Sequence, residues 1–200
     1  MFPFVPLLAS CAPFVAPSTM VAIVRTESSG QPYAIGLKEL RYQPASREQA
    51  VHWASWLQAH GYNFDAGLMQ VNVRNWSKYN LTAETVFDPC TNLQVGARIL
   101  AENYRAASLR YGPGTRALTA ALSAYNTGNF SAGFRNGYVQ RVQRNAGLPL
   151  AAGADAPPLS AAPPRSSVGA RAIPSNPYTA PMTVAGFADA LTWDATTSGH

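Results

Sequence analysis

Two hundred residues, 47% hydrophobic and 12% charged, suit one core-forming domain with an appendage, and no run approaches the roughly 18 apolar residues of a membrane span. The net charge of +5 fits an anionic partner, but the basic residues are scattered rather than gathered in a stripe. That argues against nucleic acid and leaves the anionic bacterial cell wall as the better target.

Met1 to Cys11 is apolar and lacks Lys and Arg, so it makes a poor signal peptide without the usual positive start. Leu8-Ala9-Ser10-Cys11 resembles a lipoprotein cleavage box, and lipidation there would consume Cys11. Composition leaves Cys11 and Cys90 open between two buried thiols and one disulfide formed in an oxidising compartment. Ser18 reads as the N-cap of a helix with Met20, Ile23, Val24 and Glu27 on one face, stopped by Gly30 and Pro32. Ser46 with Gln49 is a capping box for a helix through Trp53 and Leu57, closed by Gly61. The best strand signal is the short stretch 68–73. Asp88-Pro89 opens a long helix bearing Leu93, Ala97, Leu100 and Tyr104, and Gly112-Pro113-Gly114 breaks it. Helices over 115–124 and 138–146 follow, the last capped by Gly147.

The domain is therefore expected over residues 1–148 and to be mainly α with minimal sheet. Residues 149–200 hold eight of the sixteen prolines and two arginines against three aspartates. Such a stretch buries too little apolar surface to offset its ordering entropy and reads as a disordered Pro/Ala/Ser-rich tail. Residues 184–195 carry a weak apolar pattern suited to docking.

Glu27 is the candidate for chemistry. It lies on the apolar stripe of its helix, where desolvation favours the protonated carboxyl, and in the last turn, where the helix dipole opposes ionisation. The competing reading is an ordinary helix-end glutamate with its head in water. Two other segments bear on the choice: Gly67-Leu68-Met69-Gln70, and Ala124-Tyr125-Asn126-Thr127-Gly128. Each alone is a weak turn or helix-stop signal. Together with Glu27-Ser28, in this order, they resemble the three-motif signature of the lytic transglycosylases, of the soluble lytic transglycosylase and goose-type lysozyme-like superfamily. The resemblance covers roughly residues 11–147. It is nearest to the branch that serves type IV secretion systems, through Cys11-Ala12-Pro13, residues 87–92, residues 136–139 and the insertion between Gly36 and Gly67.

The resemblance implies a lysozyme-like fold and cleavage of the β-1,4 bond between N-acetylmuramic acid and N-acetylglucosamine in peptidoglycan. Glu27 would protonate the leaving oxygen while the substrate's own acetamide stabilises the developing cation. Glu27 would then take the proton of the C6 hydroxyl to give a 1,6-anhydro product, an exception to the two-carboxylate rule. Ser28, Gly67, Met69, Gln70, Tyr125, Asn126 and Tyr138 are the implied substrate-binding residues, and Cys11 and Cys90 are placed to pair. No cofactor or metal is implied. The expected partners are peptidoglycan strands and, through the tail, secretion-system components. A periplasmic monomer is expected.

Other acids near the motifs, Asp65, Glu39 and Glu48, occupy no obvious nucleophile position. Goose-type lysozymes, which share the fold, carry an aspartate where this chain has Asn72, and an amide is no general base; this favours transglycosylation over hydrolysis. Two departures from the family pattern are Gly36, where many members have serine, and Phe134-Arg135-Asn136, where others carry an acid. His52, His60 and His200 form no metal pattern. Trp53, Trp56 and Trp76 suit sugar binding or helix packing equally. Three readings follow: a transglycosylase opening the wall for a secretion apparatus, a lysozyme-type hydrolase, and a non-cutting glycan-binding assembly factor. Anhydro ends, reducing ends or no released muropeptides separate them.

Overall fold

The computed structural model describes residues 5–147; the expectations for the tail at 149–200 and for docking by 184–195 lie outside them. Helices dominate. In chain order they are α1 (Val5–Cys11), α2 (Pro17–Ser28), α3 (Arg47–Ala59), α4 (Ala83–Val86), α5 (Pro89–Tyr111), α6 (Thr115–Thr127), α7 (Ala132–Arg135) and α8 (Tyr138–Asn145). Three two-residue strands, β1 (Ile35–Gly36), β2 (Asp65–Ala66) and β3 (Val71–Asn72), form an antiparallel sheet with β2 in the centre. Gly36 lies opposite Asp65, and Asp65 opposite Asn72.

The long helix α5 starts as its sequence dictates. The Asp88 side chain accepts the Thr91 N–H and Pro89 occupies the first turn, where its missing N–H costs nothing. Helix α5 packs along α6, where Ala107 meets Ala117 and Ala120 in one buried cluster, while Leu93, Ala97 and Leu100 are also buried. Helix α2 turns Met20, Ile23 and Val24 inward and packs on α8 through Val139 and Val142. Each such buried side chain contributes about 1.5–3 kcal/mol over leaving it in water. Helix α1 lies against α5 and α2 with Leu8 buried. A disulfide between Cys11 and Cys90, Cα atoms 5.3 Å apart, ties it to the start of α5. A sulfur in that bridge is not open to lipidation.

Several details depart from the sequence reading. Helix α2 begins at Pro17 with Ala16 in the cap position and no side-chain cap, because proline's fixed φ organises the first turn ahead of Ser18. Ser46 does cap α3 by accepting the Gln49 N–H, but Gln49 Oε1 accepts from the Ala45 N–H at 2.7 Å, one residue earlier than a standard box. The strand expected at 68–73 shrinks to Val71–Asn72, since positive φ at Gly67 (+79°) and Gln70 (+47°) folds the chain into a turn first. Trp53 and Trp76 are core residues. Trp56 is partly exposed, with His60 stacked on its ring at 3.9 Å. Among the described residues, no helix is long and apolar enough to cross a membrane.

Candidate active site

Glu27 sits in the last turn of α2, just before the chain reverses through Ser29 (φ 53°) and Gly30 (φ 83°). Its side chain keeps some exposure, yet protein atoms crowd it so closely that burial pushes its pKa up from 4.5 to about 7. The negative charge of Asp65 adds to the rise, while a hydrogen bond from Tyr138 and the charge of Arg141 oppose it. A carboxyl group poised there is protonated in a large fraction of molecules near neutral pH, as a general acid must be.

Tyr138 is the first residue of α8 and is buried. Its O–H donates to Glu27 Oε1 at 2.5 Å, which leaves Oε2 to carry a transferable proton. Burial, followed by the neighbouring Glu27 charge, holds the Tyr138 hydroxyl neutral. It therefore serves Glu27 as a fixed donor that stabilises the anion left after proton transfer.

The opposite side of the site is the turn 67–70 joining β2 to β3. Ser28, next to Glu27, fastens α2 to it. Ser28 Oγ donates to the Leu68 carbonyl at 2.8 Å and accepts the Gly30 N–H at 3.2 Å. From α5, the buried Asn92 holds the turn underneath. Its Oδ1 accepts the Met69 N–H at 2.7 Å, and its Nδ2 donates to the carbonyls of Ala66 (3.0 Å) and Val86 (2.8 Å). Residue 67 has to be glycine, because a Cβ there would lie 2.3 Å from Asn92 Nδ2, and φ is positive as well. Gln70 Nε2 donates to the carbonyls of Gly67 (2.8 Å) and Ala34 (3.1 Å). The Tyr125 O–H, from α6, donates to the Met69 carbonyl at 2.7 Å. Burial, then the charges of Glu27 and Asp65, raises the pKa of Tyr125 well above its usual range.

Glu27, Ser28, Gly67, Gln70, Tyr125 and Tyr138 are thus gathered by these bonds around one spot. One expected binding residue, Met69, is placed differently. Met69 is fully buried, and its side chain fills the space that a Cβ on Gly96 would take, so it packs α5 rather than offering an apolar surface to a ligand. Asn126 is exposed, and its Oδ1 accepts from Asn136 Nδ2 at 2.9 Å. Ser28, with its hydroxyl already engaged, acts here as a fastener.

Two residues were noted in the sequence without the part they take in the structure. Asn92 belonged to a noted segment, but nothing in sequence says that its amide reaches a turn 23 residues away. Asp65, set aside for want of a nucleophile position, has its Oδ1 hydrogen-bonded by Asn72 Nδ2 at 2.9 Å and its pKa raised by burial. Its adjacency to Gly67 was the available signal. A cavity of about 300 Å³, lined among others by Phe14, Thr19, Leu100, Tyr104 and Leu118, lies at the other end of α2. None of its lining residues is an acid, so it offers no rival to Glu27 as a proton donor.

A helical domain carrying one desolvated glutamate beside a small antiparallel sheet is of the lysozyme-like class. The family model "Transglycosylase SLT domain" matches residues 6–146, and the chain belongs to that family. The "Type IV secretion system protein virB1" of Brucella abortus (strain 9-941) is 46% identical over 155 residues, covering 73% of this chain and 65% of that protein. "Protein virB1" of Agrobacterium fabrum is 37% identical over 162 residues, covering 76% of this chain and 60% of that protein. The chain thus spans somewhat under two thirds of the length of these relatives. No solved structure matches it.

Proposed function

We propose that this chain is a lytic transglycosylase that cleaves the N-acetylmuramic acid–β-1,4–N-acetylglucosamine bond of peptidoglycan with formation of a 1,6-anhydro end. The observation that carries the reading is the state of Glu27: a carboxyl with its pKa pushed up to about 7, gripped on one oxygen by Tyr138 and faced by the Gln70 turn. In its acid form Glu27 gives its proton to the leaving glycosidic oxygen, and the muramyl acetamide covers C1. In its anionic form it takes the proton of the C6 hydroxyl as that oxygen closes on C1. Gln70 and Tyr125, with Asn126 at the rim, line the path of the glycan.

The likeness to proteins named for type IV secretion supports a role in opening the wall locally for such an apparatus, and so a place in the periplasm. The domain is read as ending near residue 148, with residues 149–200 as a tail that engages secretion components.

Digestion of purified sacculi by the full chain is expected to release anhydro-muropeptides, and Glu27→Gln to lower that release by about 1,000-fold, within the range for a lost general acid. Reducing ends in place of anhydro ends would identify a hydrolase. Equal release by wild type and Glu27→Gln would remove Glu27 from the chemistry altogether.

A further inference from the structure

Asn136 takes no part in the proton transfer, yet every polar atom of it is engaged. The segment 128–136 is pulled back onto α6, where Ser123 Oγ accepts the Gly133 N–H at 2.8 Å and donates to the Asn129 carbonyl at 2.6 Å. Residue 133 has to be glycine for that return, because a Cβ there would lie 2.6 Å from Ser123 Cα. Asn136 is thereby brought beside Asn126, ten residues earlier. Its own N–H donates to the Ala132 carbonyl at 3.1 Å, and its carbonyl accepts from Arg141 Nη1 at 3.1 Å. Its Oδ1 accepts the Tyr138 N–H at 2.9 Å. A backbone N–H can only donate, so Oδ1 must face Tyr138, and Nδ2 is left to face Asn126. An amide nitrogen also only donates, so Asn126 meets it with Oδ1, at 2.9 Å. Asn126 is exposed, and its own Nδ2 lies on the side of the amide away from Asn136.

We infer that Asn136 is a positioning residue that fixes the direction of the Asn126 amide, so that the glycan meets a hydrogen-bond donor there and not an acceptor. The inference rests on the transglycosylase reading above, in which Asn126 stands at the rim of the glycan path. An asparagine side chain carries an acceptor on one side and two donors on the other, and half a turn about its last bond exchanges them. Setting that rotation before the strand arrives removes the cost of ordering it in the complex. A glycan strand offers hydroxyl, ring and carbonyl oxygens, all of which accept, so a fixed donor suits it. The anchor for the whole relay is the Tyr138 N–H, at the head of the helix whose first side chain grips Glu27. Recognition at the rim and the hold on the acid are thus set from one turn of chain.

The test is steady-state release of anhydro-muropeptides by the full chain from soluble, un-cross-linked peptidoglycan strands, with kcat taken at the plateau of its pH profile. Asn136→Asp keeps an oxygen for the Tyr138 N–H but has no donor for Asn126, whose amide must then turn over and present Oδ1 to the glycan. It should raise KM about 10-fold, the scale of one hydrogen bond lost to two facing acceptors, with kcat within about twofold. The rise should persist at about 0.5 M salt, which screens the added charge from the anionic strand. Asn126→Asp keeps an oxygen for Asn136 Nδ2 and likewise has no donor for the glycan. It should match the KM rise, and it decides the question if the residue 136 variant does not fold. Since Asn136 acts on binding through Asn126, adding Asn136→Asp to Asn126→Ala should raise KM no further. A KM within about twofold of wild type in either aspartate variant overturns the inference, as does a rise that vanishes in salt or a loss confined to kcat. So does a double variant in which the two KM effects multiply. An inactive Glu27→Gln beside unmoved KM values refutes this inference alone; an active Glu27→Gln instead refutes the reading beneath it.

Discussion

Glu27 and Tyr138 reach the site from α2 and α8, two helices joined by apolar side chains, whereas Asp65 reaches it from a strand two residues long and Gly67 and Gln70 from the turn that follows. The helical side sets chemistry by exclusion: packing removes water from a carboxyl and lifts its pKa to about 7. The sheet side sets shape by hydrogen bonds, with Asn92 alone engaging three backbone groups of the surrounding segments. An apolar wall tolerates exchange of one aliphatic residue for another at modest cost. A wall held by one side-chain amide does not, because each lost partner strands a buried polar group.

The largest effect expected on stability comes from a part outside both walls. Cys90→Ser frees a closed stretch of 79 residues and should lower unfolding stability by about 4 kcal/mol on the loop-entropy scale, as read by urea denaturation. A loss well below that would show that packing alone holds α1 in place. On the sheet side, Asn92→Ala leaves the Met69 N–H and two carbonyls without their partner and should cost about 3 kcal/mol. If it proves harmless, the contrast between the walls fails. On the helical side, Glu27→Gln should act in the opposite direction at alkaline pH. A carboxyl whose pKa is about 7 folded and near 4.5 unfolded binds more protons in the native state, so stability falls as pH rises from about 4.5 to 7. The neutral amide has no such dependence. The variant should gain up to about 3 kcal/mol over wild type at pH 8 and nothing near pH 4, by thermal melts at the two values. Smallest is Tyr138→Phe. Removing the donor that favours the anion should shift the alkaline limb of activity upward and lower the rate about 10-fold.

The same contrast governs what could be read from sequence. Met20, Ile23, Val24 and Glu27 recur at helical spacing, so their shared face, and the burial of Glu27 with it, follow from periodicity. The caps at Ser46 and Asp88 were equally legible because a cap is a local bond. Strands of two residues carry no alternation to detect, and β1 had no sequence signal. The turn 67–70 could be recognised only by its resemblance to a motif. Asp65 and Asn92 escaped because their significance depends on partners contributed by other elements, and nothing in the local sequence encodes an amide reaching across the fold. Helices α1, α4 and α7, none longer than seven residues, are likewise products of tertiary packing.

The bridge from Cys11 to Cys90 makes the rigidity of the domain conditional on its surroundings. Where thiols are kept reduced, the same polypeptide must hold its first helix by contact alone; only after reaching an oxidising medium does a covalent clasp close. A nick in the exposed stretch at Pro13–Phe14 would then leave α1 attached, so tolerance of proteolysis there is a property the molecule gains on maturation rather than one it has from synthesis.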